Sequence, residues 1–258
     1  MRGMLPVYIP TRGRAADCRT ARLLDKQRMP YTLVVEAPEA QAYADRHPDA
    51  ITLALEAEGR GISYARNATL AAMRAAGHRW AWMLDDDITG FCVAPKGRCT
   101  RAPASEVLVG AAEVIMADPE VAYGALEYVQ YAWQTDRPNR GMLVGPGYCD
   151  VAVLVDTRKT FPIRYRGYVD LKEDRDFVLQ VLALGHKTAR ATRFAFECPA
   201  NGSNPGGLSP TYAEAGKEVE ACRRMVELWG PGVCREIRKP DGRRDVRINW
   251  RAFAPPGG

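Results

Sequence analysis

Asp85, Asp86 and Asp87 stand together in "RWAWMLDDDITGF", where an apolar run with two tryptophans passes directly into three adjacent carboxylates. Like charges this close repel one another. The triplet is therefore either a solvated acidic turn or a place where cations sit between the carboxylates. In an extended chain alternate side chains point to opposite sides, which sets Asp85 and Asp87 on one side and Asp86 on the other. Two carboxylates with no His or Cys nearby make a hard oxygen site, suited to Mg²⁺ or Mn²⁺ rather than zinc. A solvated turn does not explain why a buried strand ends in three charges, so the metal site is the expectation.

Arginines support the same chemistry. Arg66 falls in the first turn of an Ala-rich helix that Ser63 is placed to cap, where the helix dipole disfavours a cation by about 0.3–1 kcal/mol. A phosphate or a neighbouring carboxylate would offset that. Arg12 and Arg14 follow the first apolar run in "PTRGR", and guanidinium forks match phosphate. A second acidic group lies in "YRGYVDLKEDRDFVLQVLALGHK". There Phe177, Val178, Val181 and Leu182 form a helical stripe ended by Gly185. Asp170 and Glu173 have the spacing of a capping box, which gives Glu173 a structural role. Asp174 lies four residues before Val178 and seven before Val181, on the inward stripe. At a helix N-terminus its carboxylate stays ionised, as a general base must. Asp176 is expected to be solvated.

These residues need elements to hold them. "LPVYIP", "YTLVVEA", "AITLAL" and "RWAWML" read as short buried strands, and the segments between them as helices. Such alternation implies an α/β fold, a mostly parallel sheet flanked by helices. Ligands of such sheets bind beyond the carboxyl ends of the strands, which puts "TRGR", "GRGIS" and "DDD" on one rim. Of the 258 residues 47% are hydrophobic and 26% charged, enough for a substantial core in a soluble chain. The net charge of +5 is mildly basic and compatible with a polyanionic partner without requiring one. No apolar stretch approaches the roughly 20 residues that span a bilayer, and the N-terminus does not read as a signal peptide. The seven cysteines are scattered, and Cys92 and Cys99 do not read as a metal knuckle. Reduced thiols in a cytoplasm are expected.

Further along, "YGALEYVQYAWQTDRPNRGMLVGPGYCDVAVLV" mixes aromatics with Arg137 and Arg140 before a strand at Val151 to Val155. Aromatic faces beside cations are what an unstacked base needs, although packing in a core is the more ordinary use. The C-terminal "CREIRKPDGRRDVRINWRAF" is the most basic segment, and Arg243, Arg244 and Arg247 with Trp250 are candidates for contact with a nucleic-acid backbone. A solvated charged tail weighs almost equally. "GSNPGGLS" reads as a loop able to close over a ligand.

The strand ending in "PTRGR", the "GxxxARN" of Gly61 to Asn67, the "LDDD" after a buried strand and the later "ED" opening a helix resemble a GT-A glycosyltransferase with a Rossmann-like fold, over Val7 to Glu197. The combination with "NGSNPGGLS" is most similar to the bacteriophage TET-associated glycosyltransferases, a group that places sugars on 5-hydroxymethylcytosine in DNA. The resemblance implies a nucleotide diphosphate sugar donor, with a UDP-sugar expected, held by Pro10, Thr11, Arg12, Arg14, Arg66, Asp85 and Asp86. It implies Mg²⁺ or Mn²⁺ at Asp85 and Asp87, with Asp174 and Glu173 as the catalytic carboxylates near the acceptor hydroxyl. Glycosyltransferases of this fold often use a late His as a further metal ligand. The late His here is His186, and the amide oxygen of Asn201 or Asn204 is an alternative.

One domain over 1–258 is expected, with a nucleotide-sugar half (1–95), an acceptor half (96–210) and a C-terminal helix with a basic tail (211–258). The alternatives are a glycosyltransferase acting on a protein, glycan or small-molecule hydroxyl, a metal-dependent nucleotidyltransferase, and a non-catalytic nucleic-acid-binding module.

Overall fold

The N-terminal apolar runs form four parallel strands, β1 (Val7–Pro10), β2 (Thr32–Glu36), β3 (Ile51–Leu55) and β4 (Trp80–Leu84), in the spatial order β3-β2-β1-β4. This computed structural model describes residues 3–95, 98–136, 142–169, 171–199, 214, 216–240 and 242–253. Helices α1 (Arg19–Lys26), α2 (Ala40–Arg46) and α3 (Gly61–Ala75) make the crossovers. The chain lays β2 and β3 outward on one side of β1, then returns to place β4 on the other side. At such a reversal a crevice opens beyond the carboxyl ends of the two central strands, here after Pro10 and Leu84.

The sheet continues through β5 (Gly90–Val93), β6 (Thr100–Arg101), β7 (Val121–Tyr128), β8 (Leu143–Gly145), β9 (Ala152–Asp156) and β10 (Lys187–Glu197). The ten strands share one sheet, in which β9 runs antiparallel between β4 and β7. Helices cover both faces. Leu70 and Met73 of α3 pack on one face with Phe177, Val178, Val181 and Leu182 of α5 (Glu173–Ala183). Ala21 and Leu24 of α1 pack on the other with Val107, Leu108 and Ala111 of α4 (Ala104–Ile115). This is the α/β architecture that the alternation of elements implies. Helix α6 (Lys217–Trp229) and a hairpin of β11 (Cys234–Arg238) and β12 (Arg244–Ile248) form a smaller cluster, joined to the rest through Val169 and Leu179. Among the described residues no helix is long and apolar enough to cross a membrane.

Several local expectations are corrected. Helix α3 starts at Gly61 after Arg60, so Ser63 lies inside the first turn and does not cap it; its hydroxyl turns to the Arg166 carbonyl at 3.4 Å. Helix α5 starts at Glu173 after Lys172, so Glu173 is its first residue and not the third after a cap; Asp170, the expected cap, lies outside the described residues. Asp176 is fully buried rather than solvated. Trp229 of α6 donates to it at 2.9 Å, Gln180 donates at 2.8 Å, and Arg166 pairs with it at 3.3 Å. The sequence stripe missed this because α6 covers a side of α5 that a lone helix would expose. Cys92 and Cys99 are joined as a disulfide across the β5–β6 hairpin, whose pairing brings the two thiols together; the other five cysteines are free.

Candidate active site

The acidic triplet leaves β4 and turns at once. Thr20, in the first turn of α1 and fully buried, holds that turn: its hydroxyl donates to the Asp85 carbonyl at 2.6 Å and accepts from the Ile88 N–H at 2.9 Å. The three carboxylates then take different partners. Asp86 accepts from the Thr11 hydroxyl at 2.5 Å and pairs with the Arg14 guanidinium, both from the segment after β1. Tyr43 of α2 closes this group, bonding the Thr11 hydroxyl and the Arg14 N–H at 2.9 Å each. Asp85 pairs with Arg66 at 2.9 Å. Asp87 keeps a quarter of its side chain exposed, and its ion pair with Arg14 is long, at 3.9 Å.

Arg66 lies in the second turn of α3, past the stretch where the dipole opposes it, and its side chain is buried. It reaches Asp85 on one side and Glu173 at 3.5 Å on the other, with its guanidinium over the Tyr165 ring at 5.5 Å. Burial alone would lower its pKa, but Asp85 and Glu173 more than reverse this. A carboxylate pair, rather than a phosphate, is thus what offsets the buried charge. Glu173, the first residue of α5, is pushed up by burial despite Arg66.

Two further carboxylates, one just before β9 and one on α5, add to this rim. Asp150 accepts a hydrogen bond from Tyr128, and Asp174 accepts one from Tyr148. Burial, reinforced by Asp174, pushes Asp150 up to about 7. Burial, reinforced by Asp85 and Asp86, does the same to Asp87, also to about 7. In both, burial is the larger cause and the neighbouring carboxylates add to it.

A single cleft of about 250 Å³ collects these groups. Pro10, Thr11, Arg12, Arg14, Arg66, Asp85, Asp86, Asp87, Glu173 and Asp174 all line it. Arg12 stands at its exposed edge, paired with Glu36 at 3.4 Å. Sequence reasoning missed Tyr128, Tyr148 and Asp150, which also line it. Because β9 is antiparallel to β4, its beginning meets the end of β4: Leu84 pairs with Ala152, and the Asp85 N–H donates to the Val151 carbonyl at 2.7 Å. The only signal was an acidic residue just before an apolar strand, in "GYCDVAVLV".

For a divalent cation the donor set is two carboxylates, Asp85 and Asp87; among the described residues no group of three or more His, Cys, Asp and Glu is arranged to hold a metal. Mg²⁺ is commonly held by one or two carboxylates together with water and substrate phosphates, so the pair fits such an ion. His186 does not join it. It follows the far end of α5, roughly 16 Å of helix from Glu173, beside Lys159 and Asp156, outside the cleft lining. Asn201, Asn204, Arg137, Arg140 and the "GSNPGGLS" loop lie outside the described residues.

Of the basic C-terminal candidates, Arg243 lines the cleft, together with Lys239. Arg244 pairs with Glu236 at 3.0 Å, and Arg247 is exposed on the hairpin. Trp250 is partly buried, packed between the α6 cluster and the main core, where its large apolar ring is better accommodated than in water. The hairpin is tied to α5 through Asp245, which pairs with Arg175 at 2.6 Å, Lys239 at 2.8 Å and Lys172 at 3.2 Å. Asp245→Asn removes the carboxylate that compensates buried Lys172, and should cost about 3 kcal/mol in chemical denaturation. The cations hold the Asp245 carboxyl well below its ordinary range. Its folded pKa is below the unfolded value of about 3.9, so its stabilisation is complete above that value and is lost as pH falls toward the folded pKa. The variant should therefore lose less stability than the wild type on acidification, and equal acid sensitivity would refute the assignment.

The profile of the TET-associated glycosyltransferases matches residues 5–206. The chain belongs to the TET-associated glycosyltransferase family. As a member of that family it is a glycosyltransferase, and the match runs from before β1 past β10, taking in every carboxylate of the triplet and of α5. Comparison with curated proteins gives no match. Among solved structures, a mannose-1-phosphate geranyltransferase from Thermus thermophilus is 13% identical, with 75% of this chain and 76% of that one covered and a TM-score of 0.41. A 4-diphosphocytidyl-2C-methyl-D-erythritol synthase is 11% identical, with 82% and 97% covered and a TM-score of 0.42.

Proposed function

We propose that this glycosyltransferase moves a sugar from a nucleotide diphosphate sugar, with a UDP-sugar as the first candidate, to the hydroxyl of 5-hydroxymethylcytosine in DNA. The observation that carries the reading is the convergence of Asp85, Asp87 and Asp174 with Arg14 and Arg66 on one cleft, in a chain of this family. The segment from Pro10 to Arg14 holds the nucleotide end of the donor, and Arg12 at the open edge exchanges its exposed pair with Glu36 for a phosphate. Asp86 acts through Arg14, fixing its guanidinium. Arg66 orients Asp85 and Glu173 together, so β4 and α5 keep their spacing when the donor enters.

A bound Mg²⁺ or Mn²⁺, held by Asp85 and Asp87, supplies positive charge that steadies the departing nucleoside diphosphate. On the acceptor side Asp174 takes the proton of the hydroxymethyl group as its oxygen bonds the anomeric carbon and the bond to the diphosphate breaks. Tyr148 holds the Asp174 carboxylate in one orientation. A base used in this way gives inversion at the anomeric carbon, which product stereochemistry reads directly.

The test is a panel of sugar nucleotides, incubated with hydroxymethylated and with plain DNA and read by mass spectrometry of the nucleosides. A hexose mass added only to hydroxymethylated DNA is the expected result. If no donor modifies that DNA while sugar nucleotides are still hydrolysed, the acceptor is another hydroxyl.

A further inference from the structure

The β11–β12 hairpin lies beyond residues 5–206, the part that the family profile matches. Its register sets Arg235 opposite Arg247, Ile237 opposite Asp245 and Arg238 opposite Arg244. The ladder continues toward the turn, where the Lys239 N–H donates to the Arg243 carbonyl at 2.9 Å. Alternate residues of a strand share a face. One face therefore carries Arg235, Ile237 and Lys239 with Arg243, Asp245 and Arg247. The other carries Cys234 and Val246, buried against Cys222 and Met225 of α6, and has its own Arg244–Glu236 pair.

The first face holds four cations and one carboxylate. That carboxylate, Asp245, is buried and engaged by Arg175, Lys172 and Lys239. Arg235 and Arg247 are exposed, directly opposite one another, and have no ion-pair partner among the described residues. Like charges directly opposite destabilise an antiparallel pair, and an external anion would remove that penalty. Toward the turn the same face ends at Lys239 and Arg243, which line the catalytic cleft. From Arg235 to Lys239 a strand advances about 13 Å, the length of roughly four nucleotides at 3.4 Å each.

We propose that this face of the hairpin is a phosphate track for the acceptor DNA, with successive phosphates held by Arg235 and Arg247 at its outer end and by Lys239 and Arg243 at the cleft mouth. The inference rests on the DNA acceptor reading above and assigns the strand its path. Asp245 fixes that path relative to the chemistry, because it bonds Arg175, the neighbour of Asp174 on α5. A nucleotide entering along the hairpin is thereby delivered beside Asp174. A nucleoside lacking phosphates gains nothing from the track.

The test compares an Arg235→Gln/Arg247→Gln double variant with an Arg223→Gln/Arg224→Gln variant, which removes the same charge from the exposed side of α6. Binding of a short DNA duplex is measured across a salt series, and transfer is measured with a hydroxymethylated oligonucleotide and with the free hydroxymethylated nucleoside. The hairpin variant should raise KM for the oligonucleotide at least about fivefold, hold kcat at saturation, and leave the free nucleoside unaffected. Its log–log salt slope should flatten by about 1.8 for two lost phosphate contacts on duplex. Equal KM and slope in the two variants would overturn the track. If the hairpin variant flattens the salt slope but the wild type transfers sugar to no DNA, the track stands as a DNA-binding face and the acceptor reading alone fails.

Discussion

Asp174→Asn is expected to lower kcat by two to four orders of magnitude, the usual contribution of a positioned general base, while donor affinity changes by no more than about threefold. The neutral amide occupies the same volume and keeps one of the two oxygens that accept from Tyr148 and from the Arg175 N–H, so the α5 terminus loses at most one hydrogen bond; what catalysis loses is the ability to take the acceptor proton. Glu173→Gln is the informative comparison. Glu173 is 3% exposed and turned toward Arg66, which keeps its shorter contact with Asp85. Burial pushes its carboxyl up to about 7, so a neutral glutamine forfeits only part of the charge that faces Arg66. The variant should lose about 1 kcal/mol of stability and less than a tenfold amount of kcat. Stopped-flow transfer with saturating donor, beside calorimetric donor binding, separates the two. If the phenotypes are exchanged, Glu173 is the base and Asp174 the support.

The second large effect concerns the triplet. Activity should require Mg²⁺ or Mn²⁺, and Asp87→Asn should raise the metal concentration for half-activity at least tenfold and cut the maximal rate by about two orders of magnitude. A cation stabilising a leaving diphosphate contributes several kcal/mol, and each 1.36 kcal/mol is tenfold in rate. Of the triplet's ion pairs, that of Asp87 with Arg14 is the longest, at 3.9 Å. Asp86→Asn should behave differently. It breaks the buried pair with Arg14 and the bond from Thr11, so thermal stability falls by several degrees while the metal titration midpoint stays in place. Full turnover in excess chelator would rule out the metal site, and a shifted midpoint in the Asp86 variant would mean the two carboxylates have been assigned the wrong way round.

The parallel part of the fold was legible because it is written in local patterns. Short apolar runs ended by Pro10, by the "GRGIS" turn or by three aspartates mark both the strands and their carboxyl ends, and the geometry of parallel crossovers puts those ends on one side. That is why the sequence pattern alone gathers residues as distant as Thr11, the "GRGIS" turn and Asp85 on one rim, while Asp174 was read from the stripe of its own helix. Which partner each side chain takes is a different matter. Arg66 could have faced a phosphate as well as a carboxylate, and only the approach of α5 to β4 sets Glu173 and Asp85 on either side of it.

The direction of β9 was equally hidden. A strand that is buried on both faces carries no mark of whether its neighbours run with it or against it, because its side chains are apolar either way. Its antiparallel course is what brings Tyr148 and Asp150 to the cleft. Asp176 and the hairpin obey the same rule: burial by Trp229 and attachment through Asp245 depend on where α6 and the hairpin dock. The sequence by itself determined the alternating elements of the N-terminal half and the shared rim, which follow from periodicity and chain direction. The tertiary structure alone decided the pairing of charges and the path of the basic segment, because these arise from contacts between residues far apart in the chain, whose desolvation and mutual field exist only once the chain has packed.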